Sequence, residues 1–254
     1  MAKQAEKRRL AILDLLTRQG RAQVSEIAAA LSMTPQTIRS DLAALARDSK
    51  VMRYHGGASL LAGVEYTNYE ARRAISAEQK ARIGAACARL IPDNVAVMIN
   101  SGTTTAAVAS ALRDHSGLRV ITDSVSIAND MRDFFGAEVM VPGGRVRGSD
   151  GAIVGQPAVE FIAQFRPDFA VIGTAGIARD GALLDYDMAQ VSVARAMMAH
   201  ARNVILCADS SKFDRPAPLR IAGLEDITTL VTDGMVSEVL RQMCQAARVR
   251  IVDA

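Results

Sequence analysis

The sequence predicts an α/β protein in two parts, an N-terminal winged helix-turn-helix and a larger C-terminal domain with a mostly parallel sheet. Charge divides the chain in the same way: the first 57 residues hold ten Lys and Arg against five Asp and Glu, and the rest hold 20 against 22. The basic part shows the spacing of short amphipathic helices. The remainder alternates short apolar runs with amphipathic stretches, as strands and helices do in a parallel sheet.

Composition argues against several other classes of protein. Half of the 254 residues are hydrophobic, enough for a sizeable core, yet no apolar run approaches the ~20 residues of a membrane span. The charged N-terminus is unlike a secretion signal, so we expect a cytoplasmic protein that does not bind membranes. Cys87, Cys207 and Cys244 lie far apart among apolar residues, which predicts buried thiols. We expect neither a metal nor a cofactor.

Two helices are predicted at the start of the basic part. An apolar stripe runs from Leu10 to Leu16, and Gly20 is expected to end that helix. The segment VSEIAAAL (24–31) predicts a short second helix with Ser25 as its N-cap.

A third helix follows in TPQTIRSDLAAL (34–45). Thr34 suits the N-cap and Pro35 the first helical position, and Ile38, Leu42 and Leu45 fall on one face. Its polar N-terminal residues then face outward, where a recognition helix presents side chains to base edges. The candidate reading residues are Gln36, Thr37, Arg39 and Ser40.

A β-wing is predicted next, because VMRYHGGAS (51–59) alternates and then turns on Gly56 and Gly57. From the wing, Arg53 and His55 would reach phosphate or the minor groove. An ordinary three-helix bundle is the alternative, but charge, capping and wing together favour double-stranded DNA as the partner.

These residues also resemble the winged helix-turn-helix of the DeoR family of bacterial sugar-catabolism repressors. The family's T-I-R-x-D-L stands here as Thr37 to Leu42, and its R-x-H-G-G-A as Arg53 to Ala58. The resemblance implies that the four candidate residues read the operator. It implies a local structural role for Asp41, without a base contact.

The domain boundaries follow from composition. We expect the DNA-binding domain at 1–58, a linker at 59–75 and an effector domain at 76–254. Ser76 and Gln79 suggest a capping box at the start of a helix that runs to about Leu90, where Pro92 stops it.

Six apolar runs predict the strands of the effector domain, and most are continuous, as in a sheet buried on both faces. They are 95–99, 119–122, 138–142, 169–173, 203–208 and 228–232. Ligands of such sheets bind beyond the carboxyl ends of the strands.

The residues after these runs are small, hydroxylated or glycine, with a few charges, which is typical of sites that hold anions. In NSGTTT (100–105), Gly102 allows close approach, and Thr103 to Thr105 offer amides and hydroxyls at a helix N-terminus, where a phosphate is favoured. Cationic side chains could neutralise it, and carboxylates could accept hydrogen bonds from a sugar or polyol. The cations are Arg145, Arg147 and Lys212, and the candidate effector-binding residues are Asn100, Ser101, Gly102, Thr103, Thr104, Thr105, Asp123, Ser124, Gly143, Gly144, Arg145, Gly173, Gly176, Asp185, Asp187, Asp209 and Lys212.

This segment resembles the DeoR-family sensor domain, which is similar in fold to ribose-5-phosphate isomerase and related phosphosugar-binding proteins. The resemblance implies that the G-T-T loop holds phosphate and that glycerol 3-phosphate or a sugar phosphate is the effector. Two positions depart from the family: Asn100-Ser101, where members usually have an Asp nearby, and Gln190, where many have Glu. Both remove negative charge, which leaves the effector's identity open.

Two functions remain to be weighed. A repressor that a phosphorylated metabolite releases from DNA, as a homodimer or homotetramer, accounts for both parts of the chain. A phosphosugar isomerase-like enzyme with a fused DNA-binding module is the alternative, with Asp185, Asp187 or Asp209 as general base. Structural or ligand-holding carboxylates are commoner than catalytic ones, so the sequence favours a non-enzymatic regulator.

Overall fold

The computed structural model describes residues 2–19, 21–48, 50–54, 56–60, 69–234 and 236–254. The chain divides into two compact units, residues 1–72 and 73–254. The smaller unit contains α1 (Ala2–Gln19), β1 (Arg21–Gln23), α2 (Val24–Ala30), α3 (Pro35–Arg47), β2 (Val51–Tyr54) and β3 (Gly57–Leu60), and α4 (Tyr69–Ala74) spans the division.

The three predicted helices of the smaller unit are confirmed, and their apolar faces form one core. Ile12, Leu13 and Leu16 of the predicted stripe are at most 2% exposed, whereas Leu10 is 36% exposed. They pack with residues of α2 and α3 in a single cluster, which includes Ile27, Ile38, Leu42 and Leu45. The helix-turn-helix is therefore held together by apolar burial.

The wing is a three-stranded antiparallel sheet in the order β1-β3-β2. The β2–β3 hairpin confirms the prediction, and Gly56 has φ +84°, a value that favours glycine. A Cβ at Gly56 would also lie 2.8 Å from Oε1 of Gln23. The sequence did not predict β1, because three residues are too few for an alternating pattern to be visible.

Of the two caps predicted in the smaller unit, one is right and one is wrong. Oγ1 of Thr34 accepts the N–H of Thr37 at 3.2 Å, as predicted for α3. In α2 the N-cap is Gln23, not Ser25, and the Glu26 carboxylate accepts the N–H of Gln23 at 2.7 Å. Strand β1 ends at Gln23, so the helix can begin directly after it. Gly20, the predicted end of α1, lies outside the described residues.

The larger unit has a seven-stranded parallel sheet in the order β15-β14-β12-β9-β4-β5-β6. Its helices are α5 (Ala77–Ala88), α6 (Thr103–Ala111), α7 (Val125–Met131), α8 (Gln156–Ile162), α9 (Met188–His200) and α10 (Glu238–Ala246), and its strands are β4 (Ala96–Ile99), β5 (Leu118–Thr122), β6 (Ala137–Met140), β7 (Arg145–Val146), β8 (Ile153–Val154), β9 (Phe169–Ile172), β10 (Gly176–Ile177), β11 (Leu183–Asp185), β12 (Asn203–Cys207), β13 (Leu219–Ala222), β14 (Thr229–Thr232) and β15 (Arg250–Asp253).

All six predicted strands are present, and the mostly parallel α/β fold is confirmed. The sequence missed β15, the seventh strand, whose residues are half-buried or exposed, as an edge strand's are. It also missed the short antiparallel pair β7–β8 and the small sheet β10-β11-β13, which lie outside the main sheet.

Apolar side chains on both faces of the sheet explain the continuous hydrophobic runs. One core joins Met98, Ile172 and Leu206 of the strands with α8, α9 and α10, and the other joins Val97 and Val171 with α5, α6 and α7. The sheet is thus covered by helices on each side. Cys87, Cys207 and Cys244 are buried, as predicted.

The predicted capping box at Ser76 is wrong. Ser76 has φ +53°, in the left-handed region, and makes no side-chain cap. Helix α5 begins at Ala77 and ends at Ala88, two residues before the predicted end. The amine of Lys80 instead donates to the carbonyl of Ile75 at 2.6 Å, which ties the first turn to the preceding chain.

Candidate DNA-binding surface and effector site

The predicted reading residues of α3 differ in exposure. Gln36, Arg39 and Ser40 are exposed on the side of α3 opposite its buried residues. Thr37 is half-buried, and its hydroxyl shares a 2.8 Å hydrogen bond with the hydroxyl of Thr34. Three of the four side chains are therefore open to a partner molecule, and the fourth completes the N-terminal cap.

On the wing, Arg53 lies in β2 and is exposed. His55, the other predicted wing contact, lies outside the described residues. Arg53 and the exposed side chains of α3 together offer two cations and two uncharged hydrogen-bonding groups. Such a set can contact both phosphates and base edges.

Asp41 joins the recognition helix to α1. It is 3% exposed, and its two carboxylate oxygens accept from Nε of Arg8 at 2.5 Å and from Nε of Arg9 at 3.2 Å. The two arginine side chains are 22% and 38% exposed. The expected structural role of Asp41 is thus explained by an ion pair between α1 and α3. The sequence alone did not predict which residues Asp41 contacts.

In the larger unit, the strand order reverses between β4 and β9, since the chain adds β5 and β6 on one side and β9, β12, β14 and β15 on the other. Ligands of open parallel sheets bind at such a reversal, beyond the carboxyl ends. Asn100 connects the ends of the two strands at this reversal. Its Oδ1 accepts the N–H of Gly173 at 2.9 Å, and its Nδ2 donates to the carbonyl of Gly173 at 3.5 Å. Asn100 is 3% exposed, so its side chain joins the two strand ends.

The loop after Asn100 leads directly into α6. The hydroxyl of Thr105 donates to the carbonyls of Asn100 at 2.7 Å and Gly102 at 3.1 Å, and a Cβ at Gly102 would lie 2.9 Å from that hydroxyl. Ser101, Gly102 and Thr103 are partly exposed, whereas Thr104 and Thr105 are buried. The accessible part of the candidate loop is therefore short, and it coincides with the helix N-terminus, where backbone N–H groups favour an anion.

Asp123 and Ser124, two predicted contacts, have no exposed surface. Asp123 accepts the N–H of Ser101 at 2.6 Å and Nε2 of Gln190 at 3.0 Å. Ser124 caps α7 by accepting the N–H of Ile127 at 3.3 Å. Burial raises the pKa of Asp123 to about 6, although the hydrogen bonds and the charge of Arg147 lower it.

Arg147 does not offer an uncompensated charge to a phosphate. It binds Asp150 through Nε at 2.9 Å and Nη2 at 2.7 Å, and its Nη1 lies 3.3 Å from Oδ1 of Asp187. Asp187 also caps α9, accepting the N–H of Gln190 at 2.9 Å. Asp185 accepts the N–H of Tyr186 at 2.7 Å, and burial raises its pKa. Asp185 and Asp187, two of the three acids predicted to bind hydroxyls, thus hold protein groups.

The remaining candidates lie on other connections. Gly143, Gly144 and Arg145 are exposed. A Cβ at Gly176 would lie 2.2 Å from the carbonyl of Arg215, so this glycine serves close backbone packing. A bridge between Ile177 and Phe213 brings the loop after β12 beside β10.

That loop carries Asp209 and Lys212. Asp209 is 2% exposed and accepts the N–H of Ser211 at 3.0 Å, while its Oδ2 is buried without a hydrogen-bond partner among the described residues. Lys212 is half-buried at the end of the 3₁₀ turn Ser210–Lys212.

Two site residues escaped sequence reasoning. Asp150 was not selected, and Gln190 was noted only for its lack of charge. The three-residue spacing of Arg147 and Asp150 was a usable signal for their ion pair. The contact of Gln190 with Asp123 joins positions 67 apart in sequence, and nothing local indicates it.

Family models match most of the chain. The DeoR-like helix-turn-helix domain matches residues 8–63, and the DeoR C terminal sensor domain matches residues 75–234. The chain belongs to the DeoR family. No helix among the described residues combines the length and the apolar character that a membrane span requires.

Its relatives in the family are named as repressors. The chain is 36% identical to the HTH-type transcriptional repressor CsqR of Escherichia coli (strain K12), over 95% of this chain and 92% of that protein. It is 40% identical to the glycerol-3-phosphate regulon repressor of Haemophilus influenzae, over 87% and 86%, and 37% identical to that of Escherichia coli, over 87% and 88%. These relatives and the helix-turn-helix support a DNA-binding repressor role.

Solved structures overlap with the chain in part. Ribose 5-phosphate isomerase A from Methanocaldococcus jannaschii has a TM-score of 0.41 at 12% identity, over 54% of each chain. The delta subunit of eIF2B from Chaetomium thermophilum has a TM-score of 0.43 at 15% identity, over 58% of this chain and 57% of that chain. Likeness at this level says nothing of catalysis.

Proposed function

We propose that this protein represses an operon for sugar or glycerol catabolism and leaves its operator when it binds a phosphorylated sugar or polyol. The observation that carries the effector half is the loop Ser101–Thr103, partly exposed at the N-terminus of α6, at the reversal of strand order. A phosphate there would meet backbone N–H groups and the positive end of the helix.

In this proposal α3 enters the major groove. Gln36 and Arg39 carry side chains suited to bidentate contacts with adenine and guanine, and Ser40 can contact either base. Arg53 and His55 of the wing would contact the backbone or the minor groove, adding a sequence-independent term that weakens with salt.

Lys212 is the proposed cationic partner of the phosphate, and exposed Arg145 is a second one. Asn100, Asp123 and Ser124 are proposed to shape the pocket from beneath, since all three are buried. Glycerol 3-phosphate is the first effector to test, because two relatives are named for its regulon.

A helix-turn-helix repressor reads two half-sites as a dimer, so we propose a homodimer or a homotetramer in the cytoplasm, where the operator lies. The effector would favour an arrangement of subunits that fits the two half-sites less well.

We also propose that the protein is not an enzyme. The acids considered as general bases are engaged in the fold: Asp187 caps α9, Asp185 accepts backbone N–H groups, and Asp209 accepts the N–H of Ser211. Incubation with ribose 5-phosphate should give no ketose phosphate, and turnover would reinstate the isomerase alternative.

The effector half is tested by thermal unfolding of the full chain with glycerol 3-phosphate, several sugar phosphates and their unphosphorylated parents. A selective ligand at a hundred times its Kd should raise the free energy of unfolding of the part that binds it by ~2.7 kcal/mol. We expect one phosphorylated compound to raise the Tm and its parent to leave it unchanged. Equal shifts with both would contradict a phosphate site.

A further inference from the structure

The side chain of Gln190 lies in a buried chain of hydrogen bonds beneath the proposed effector loop. Its Nε2 donates to Oδ2 of Asp123 at 3.0 Å, and its Oε1 accepts from Nη2 of Arg147 at 3.2 Å. Gln190 is 4% exposed and Asp123 is fully buried. The amide therefore donates one hydrogen bond and accepts another where water cannot replace either partner.

The two neighbours of this amide have opposite charge, which explains why an amide suits the position. A carboxylate at 190 could accept from Arg147, but it would face the Asp123 carboxylate at hydrogen-bond distance. Two carboxylates at that separation do not both ionise near neutral pH, and they share a proton. An apolar side chain would leave Asp123 Oδ2 without its donor.

The chain of hydrogen bonds connects the effector loop with the N-terminus of α9. At one end, the other oxygen of Asp123 accepts the N–H of Ser101, the first residue of the loop. At the other end, Arg147 contacts Asp187, which caps α9 through the N–H of Gln190 itself. Side chain and backbone of Gln190 thus belong to one closed ring of contacts.

We propose that Gln190 is a positioning residue of the effector pocket, whose amide holds the Asp123 carboxylate so that Asp123 fixes the Ser101 N–H and the loop that receives the effector. The inference rests on the proposed function, since it concerns the same pocket. Gln190 itself does not titrate, so its amide offers Asp123 the same donor at every pH.

The charged residues around Gln190 and Asp123 support this positioning role. Arg147 faces both partners from the β7–β8 hairpin and lowers the pKa of Asp123, while Asp150, Asp185 and Asp187 surround Arg147. The hydrogen bond from Gln190 opposes the rise in pKa that burial imposes on Asp123. Without this donor the pKa of Asp123 moves further toward neutrality.

The first test needs no ligand: thermal unfolding of wild type, Gln190→Glu and Gln190→Met from pH 6 to pH 9. In Gln190→Glu the carboxylate pair holds a proton that the unfolded chain releases. Its stability should therefore fall as pH rises through the pair's folded pKa, and its Tm should drop by at least ~4 °C more than that of wild type. Gln190→Met, which has nearly the same shape, removes the donor to Asp123 without adding a second carboxylate, so its curve should fall between those of wild type and Gln190→Glu. Parallel curves for Gln190→Glu and wild type would overturn the proposal.

The second test measures binding of glycerol 3-phosphate and of inorganic phosphate by calorimetry. Gln190→Met should bind at least tenfold more weakly than wild type, and Gln164→Met, at an exposed glutamine, should match wild type. Equal binding by Gln190→Met would refute the positioning role. If wild type bound neither probe, the proposed effector class would fail, and the unfolding curves would still decide the role of Gln190.

Discussion

Asp123 is the residue at which burial most clearly changes chemistry. Its folded pKa of about 6 lies above the value of ~4 in an unfolded chain. The folded state therefore holds the proton more tightly, and the stability this group contributes is fully present below about pH 4 and is lost as pH rises through 6. Over that interval the loss amounts to about 3 kcal/mol.

Asp123→Asn, which does not titrate, should remove this part of the pH dependence. The measurement is urea unfolding at several pH values between 4.5 and 7. We expect the stability of the variant to change less steeply than that of wild type across this range. Asp130→Asn, at an exposed carboxyl, is the control and should keep the wild-type slope. Equal slopes for Asp123→Asn and wild type would show that Asp123 does not titrate there.

Arg39 is exposed beside Gln36 and Ser40, so its loss tests the reading surface without disturbing the core. Arg39→Ala should weaken binding to the operator by ~1 to 3 kcal/mol while leaving the Tm within ~2 °C of wild type. Fluorescence anisotropy with operator and scrambled duplexes provides the comparison. Arg89→Ala, at an exposed position of the larger unit, should bind as wild type does. An equal loss on both duplexes would mean that Arg39 contacts only phosphate.

At the scale of elements, Asp41 makes α3 depend on α1. Asp41→Asn keeps the shape but removes the charge that Arg8 and Arg9 share, and should lower the free energy of unfolding by about 1 to 3 kcal/mol. The expected loss of stability is moderate because both arginines retain some contact with water. Asp48→Asn, at the exposed end of the same helix, is the matched control and should cost nothing. Chemical denaturation measures the stability of both variants, and equal stability would contradict a stabilising ion pair between Asp41 and the two arginines.

Elements with a local signal could be predicted from the sequence. The cap at Thr34, the glycine turn of the wing and the six apolar runs each depend on neighbours in the chain, and the structure contains all of them. β1, the left-handed Ser76 and the edge strand β15 have no comparable signal. Their conformations depend on partners that are distant in sequence.

In the candidate effector site, too, the features with a local sequence signal could be predicted and the contacts between distant residues could not. The loop at 100–105 was recognisable because glycine, hydroxyls and a helix start follow one another. The partners of its supporting residues were not, since Asn100 binds Gly173 and Asp123 binds Gln190 across 73 and 67 positions. Residue type selected the candidates for a ligand site, whereas burial limits which of these candidates a ligand could touch.

At the scale of the whole molecule, the proposal requires that the effector bind the DNA-free form more tightly. A coupling of 1–3 kcal/mol would correspond to a 5- to 150-fold change in operator affinity, and the operator must weaken effector binding by the same factor. Variants of the effector pocket should therefore lose the response to effector and retain affinity for DNA.

Lys212→Ala is the variant that isolates this coupling. It should bind operator with the wild-type Kd, because the residue lies in the larger unit, and should fail to release it at effector concentrations that weaken wild-type binding at least fivefold. Anisotropy titrations with the compound that raises the wild-type Tm measure both quantities. Arg241→Ala, at an exposed cation of α10, should respond as wild type. A normal response from Lys212→Ala would show that this lysine does not contact the effector. Weaker DNA binding in the absence of effector would show instead that Lys212 stabilises the DNA-binding form.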